Sequence, residues 1–155
     1  MLNPRTFSFG STSAIVTSMG LIIGLGTATV SPATIVGGLL IVAVADNLTD
    51  SLSVHMYQEA EQLEAKAAFR ATLMNFVARL LIGLTFATVV LAFPNPYTAI
   101  IALAWGLLLL VGLSYILARA RDVRVLPEVG KHLAVAVLVI VASRVVGLCI
   151  LRYVK

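Results

Sequence analysis

Five apolar blocks, each long enough to cross a bilayer, leave this chain of 155 residues few alternatives to a polytopic membrane fold. A membrane helix needs about 20 predominantly apolar residues. The blocks run at about 14–30, 33–57, 72–93, 97–118 and 132–151. Composition agrees: 12% of residues are charged, against about a quarter in soluble domains. The predicted class is all-α, with five transmembrane helices in one domain spanning 1–155 and a lipid bilayer as its surroundings.

The connections constrain topology. Ser31-Pro32 and Pro94-Asn95-Pro96 are short turn signals, so spans 1 and 2, and spans 3 and 4, form antiparallel hairpins. The polar stretch from Arg119 to Lys131, with Pro127 and Gly130 inside it, reads as a loop. Lys66, Arg70, Arg119, Arg121, Arg124 and Lys131 fall on one side together with Arg5, whereas the hairpin tips carry no charge. The positive-inside rule then places the N-terminus in the cytoplasm and the C-terminus outside or in a lumen. The formal net charge of +4 reflects these dispersed helix-end residues and gives no nucleic-acid patch. Met1 to Ser13 lacks the layout of a cleaved leader, so the first helix is expected to remain as an anchor. Cys149 is the sole cysteine, which excludes an intrachain disulfide.

The chemistry concentrates in span 2. Asp46 and Asp50 sit in an otherwise apolar segment, and the exit carries His55, Glu59, Glu61 and Glu64. Ionisable groups within hydrocarbon are costly and mark an ion path, a proton path or a structural pair. At about 100° per residue, Asp46, Asp50, Ser53, Tyr57, Glu61 and Glu64 share one arc, while His55, Glu59 and Gln62 form a second stripe. Carboxylates, amides and hydroxyls suit hard or borderline divalent cations, and imidazole with carboxylate suits iron, manganese, cobalt or zinc. His55 and Glu59, one turn apart, are therefore either ligands or a solvated helix face. No glycine or proline occurs between Gly38 and Gly83, so the second helix is expected to continue past the membrane through about Ala68, projecting into the cytoplasm.

A structural alternative stands beside the ion path. Arg79 in span 3 matches the depth of Asp50, with Asn75 one turn away, and Arg144 in span 5 is a less neat match for Asp46. Ser13 and Thr17 of span 1, with Asn47, offer neutral oxygens beside the carboxylates. Gly20-x-x-x-Gly24 reads as close helix packing. The aliphatic Leu107–Val111 run reads as lipid-facing. No catalytic Ser/His/Asp set, phosphate loop, paired-cysteine zinc motif or dinucleotide fingerprint occurs, so neither an enzyme nor a bound cofactor is expected.

Spans 1 and 2 resemble the vacuolar iron transporter family. The family's Gly-x-x-Asp-Gly-Leu-Val-Thr pattern is echoed by Gly10-Ser11-Thr12-Ser13-Ala14-Ile15-Val16-Thr17, followed by Gly24-Leu25. Its Ala-Asp-Ala-Leu-Ser-Met-x-x-Gly-Glu-Tyr pattern is echoed by Thr49-Asp50-Ser51-Leu52-Ser53-Val54-His55-Met56-Tyr57-Gln58-Glu59. The resemblance implies five spans, a cytosolic N-terminus, a long second helix and a homodimer that carries iron(II) or manganese(II), with the path between paired second spans. The departures are specific: Ser13 stands where the family has an aspartate, Val54 where it has a methionine, and Gln58 where it has a glutamate. Only Glu61 to Ala71 separates spans 2 and 3, so the family's cytosolic metal-binding helices are missing. Asp46 and His55 are then the candidates to replace the lost ligands. The resulting expectation is a divalent-metal transporter driven by proton exchange, or else a non-transporting scaffold or accessory subunit with Asp–Arg pairs.

Overall fold

The computed structural model describes residues 4–29, 31–62, 65–93 and 96–154, with the side chains of 4–9, 65, 67 and 68 outside the description. Six α-helices build five membrane-length rods: α1 (Pro4–Ala28), α2 (Pro32–Ile41), α3 (Asn47–Ala60), α4 (Ala65–Ala92), α5 (Tyr97–Ala120) and α6 (Val125–Tyr153). A π-helical segment, Val42–Asp46, joins α2 to α3 into the second rod. All five rods are long and apolar enough to cross a membrane.

Several boundaries differ from expectation. Helix α1 begins at Pro4, ahead of its apolar block, because proline is tolerated in a first turn, where the N–H has no intrahelical acceptor. The same reason admits Pro127 to the first turn of α6, and Gly130 follows inside it. The expected 119–131 loop therefore shrinks to a turn around Arg121–Arg124, with Asp122 at φ 54°. The second rod stops at Ala60, and Gln62 adopts φ 55°. A continuous helix through Ala68 is thus not formed, since a left-handed residue ends the α-helical ladder.

Helix α1 is the axis, packing against α4, α5 and α6. Its Ile15, Met19 and Ile22 meet Leu39 of α2, Phe86 of α4 and Leu110 of α5 in the buried core. Small residues permit the close crossings that membrane helices use in place of a hydrophobic drive. A methyl group on Gly106 would lie 2.3 Å from the Met19 sulfur, and one on Gly147 would lie 2.4 Å from the Gly24 carbonyl oxygen. The Gly20–Gly24 stripe is consequently a packing surface for α6, also touching Ser143. Leu110, within the run expected to face lipid, is fully buried against α1.

The π-helical segment positions the polar residues. In the second rod the buried positions are Ile35, Leu39, Ala43, Asn47 and Ser51, each four residues apart. A regular helix of 3.6 residues per turn would rotate such a series off its face by about 40° per step. The wider turn, in which the Asn47 N–H reaches the Val42 carbonyl, absorbs part of that drift. Asn47 and Ser51 are thereby kept against α4, and Asp46 and Asp50 follow on the adjoining flank.

Candidate functional site: an arginine between two carboxylates

Arg79 of α4 is the centre of the site. Its side chain is only 3% exposed, and its two terminal nitrogens serve different acids. Nη2 donates to Asp46 Oδ2 at 2.6 Å, and Nη1 donates to Asp50 Oδ2. The spacing makes this possible: two carboxylates one helical turn apart present their oxygens to one fork-shaped guanidinium. Depth agrees as well. Asp46 follows Pro32 by 14 residues and Arg79 precedes Ala92 by 13, placing both about 20 Å from the same edge of the bundle.

The triad is asymmetric. The Asp46 side chain is 47% exposed and that of Asp50 is 32% exposed, while the cation between them is buried. With all three groups ionised, the cluster carries one surplus negative charge.

Neighbouring polar groups divide into packing and lining roles. Asn47, expected to offer an oxygen to an ion, is instead committed to helix packing. Its Nδ2 donates to the Phe76 carbonyl at 2.8 Å, and its Oδ1 accepts from Ser51 Oγ at 3.5 Å. Asn75, one turn below Arg79, is buried with no partner at Nδ2 among the described residues. Its Oδ1 lies so close to Gly10 that a Cβ there would sit 2.0 Å away. Thr17 and Ser18 of α1 line a cavity of about 20 Å³ together with Asn47, Arg79 and Gly83, room for one water molecule. Ser13 is half-buried and lies outside that lining.

The exit stripe is looser. His55 Nε2 lies 3.4 Å from Glu59 Oε1, and Glu59 and Glu61 are exposed. Glu64 lies outside the described residues. Among the described residues, no three His, Cys, Asp or Glu side chains converge as a metal site would require. Arg144 does not reach Asp46: it is exposed on α6, with no hydrogen-bond or ion-pair partner among the described residues. The reason is packing, since α6 lies on α1 and α5, whereas Asp46 faces α4.

Sequence reasoning also passed over Ser114 and His132. Ser114 Oγ is buried, donates to the Leu110 carbonyl at 2.6 Å, and lies 2.7 Å from His132 Nδ1. With the serine proton on Leu110, the imidazole Nδ1–H is the donor to Ser114, which ties α5 to α6. The available signal was a lone serine in an aliphatic run.

Fold and site together define a five-span membrane bundle with an arginine–dicarboxylate triad at bilayer depth. No family model, curated protein or solved structure matches the chain.

Proposed function

We propose that this chain is a membrane transporter that moves a divalent metal ion, iron(II) or manganese(II), in exchange for protons, acting as a pair of copies with the N-terminus in the cytoplasm. The observation that supports this best is the triad itself. A carboxylate in a low-dielectric environment stays ionised only when a positive charge compensates it. Arg79 compensates about one of its two acids, so the half-exposed Asp46 is left to a proton or an arriving cation. Two states follow, one with a proton on Asp46 and one with a metal ion there, and Arg79 remains with Asp50 in both. His55, Glu59 and Glu61 gather cations at the mouth, and Thr17 adds a neutral oxygen beside the arginine. The identity of the ion rests on the family resemblance and on oxygen-ligand chemistry.

The test is manganese(II) and iron(II) uptake into proteoliposomes, comparing the wild type with Asp46→Asn. Loss of uptake with the folded protein intact is expected, and undiminished uptake would overturn the assignment. A second reading, a non-transporting scaffold or accessory subunit, draws on the direct bonding of both acids to Arg79. The swap Asp50→Arg with Arg79→Asp separates the two. A stable, inactive double variant favours transport through the triad. A stable variant with every cellular function retained favours the scaffold.

A further inference from the structure

Arg144 presents a charge that no described residue of the protomer neutralises. Lys131 and Arg152 lie 21 positions apart on α6, about 31 Å at 1.5 Å per residue, which matches the hydrocarbon thickness of a bilayer. Arg144 lies eight residues from Arg152, about 12 Å inside that edge. Around it, Val137, Val141, Val145 and Leu148 are exposed aliphatics, the surface that meets lipid in the isolated protomer. Escape to the headgroups is hindered by geometry. Side chains on a helix lean toward its N-terminus, so Arg144 leans toward the Lys131 end, away from its nearer edge.

The complementary charge is on the second rod. Asp46 and Asp50 are the only carboxylates between Pro32 and Val54, and none occurs in the apolar stretches of α4, α5 or α6. Asp46 uses Oδ2 for Arg79 and exposes nearly half of its side chain. It sits deeper than Arg144, about 21 Å from the edge at Pro32, but its helix runs the opposite way, so Asp46 leans back toward the level of Arg144. The triad carries one surplus negative charge and Arg144 one positive charge.

We infer that Arg144 of one copy docks on the Asp46 carboxylate of a second copy, so that the contact between copies joins two unlike surfaces, the exposed face of α6 and the Asp46 flank of the second rod. In a symmetric pair the contact occurs twice, which neutralises the four charges that each copy holds within the bilayer at rest, and a proton or metal ion reaching Asp46 displaces Arg144. It deepens the proposed pairing of copies and rests on the transmembrane reading, but transport is not needed for it to hold.

The experiment measures energy transfer between donor- and acceptor-labelled protein in dilute phosphatidylcholine vesicles, with labels on engineered sites in a Cys149→Ser background. Wild-type chains are expected to associate. Arg144→Leu and Asp46→Asn should each weaken association by about tenfold, the scale of one interhelical polar contact, and Arg144→Lys should retain most of it. A mixture of Arg144→Leu with Asp46→Asn is the decisive sample. Each chain retains the half that the other lacks, so the mixture should associate more tightly than either variant alone. A monomeric wild type, an Arg144→Leu chain that pairs like the wild type, or a mixture no better than its components would overturn the inference. Association that appears only with anionic lipid, and equally in Arg144→Leu, would also overturn it. Unchanged thermal unfolding of Arg144→Leu, expected for an exposed residue, shows that the fold is intact, and none of these readouts depends on metal flux.

Discussion

Replacing Arg79 by methionine keeps a long side chain in the α4 position but removes the cation that both carboxylates share. Two charge-assisted hydrogen bonds are lost, each worth about 1.5–3 kcal/mol. Asp46 and Asp50 are left facing each other's charge with no cation between them. Removing one member of a buried ion pair costs about 3–5 kcal/mol, and the 3% exposure of Arg79 places this case inside that range. Asp46→Asn should cost less, about 1–2 kcal/mol, because Arg79 keeps Asp50 and the lost group is half exposed. The triple variant Arg79→Met, Asp46→Asn, Asp50→Asn should recover most of the loss, since an uncharged replacement of a buried ionic cluster is often neutral. Denaturant unfolding in bicelles, followed by helical circular dichroism, reads all three. A loss below about 1 kcal/mol for Arg79→Met, or a triple variant as unstable as the single one, would refute the view that Arg79 and the two acids neutralise one another.

Gly10→Ala should destabilise by about 1–3 kcal/mol, since its Cβ would meet Asn75 Oδ1 at 2.0 Å and Arg79 Cγ at 2.9 Å, and thermal unfolding in detergent measures it. Gly147→Ala should cost at least as much, because the obstacle at 2.4 Å is the Gly24 backbone carbonyl; Gly112→Ala, with open space around it, should be neutral or stabilise by up to about 1 kcal/mol. Ser114→Ala should lose about 1 kcal/mol and release His132, which would show as a shift in the imidazole nitrogen resonances of labelled protein.

Much of the architecture was legible because bilayer thickness fixes the length of each apolar block, and Pro32 and Pro96 flank the connections. Helix ends were less legible. Outside hydrocarbon, nothing in hydropathy distinguishes polar helix from loop, so the starts at Pro4 and Val125 went unseen. The π-helical turn has no residue signature; its trace is the four-residue spacing from Ile35 to Ser51, visible only once Asn47 and Ser51 are known to be buried. Depth counting brought Arg79 to Asp50, but it treated ion pairs as one-to-one and so separated Asp46 from the same guanidinium. The roles of Asn47 and Ser114 depend on which neighbour each helix packs against, information that one sequence does not carry.

The central claim, that Asp46 alternates between a proton and a metal ion, is tested most directly by recording internal pH and manganese(II) entry together in the same proteoliposomes. The account predicts that an imposed metal gradient drives proton movement in the opposite direction in the wild type, and that both fluxes vanish in Asp46→Asn. Metal entry without coupled proton movement, or coupled fluxes that persist in Asp46→Asn, would contradict it.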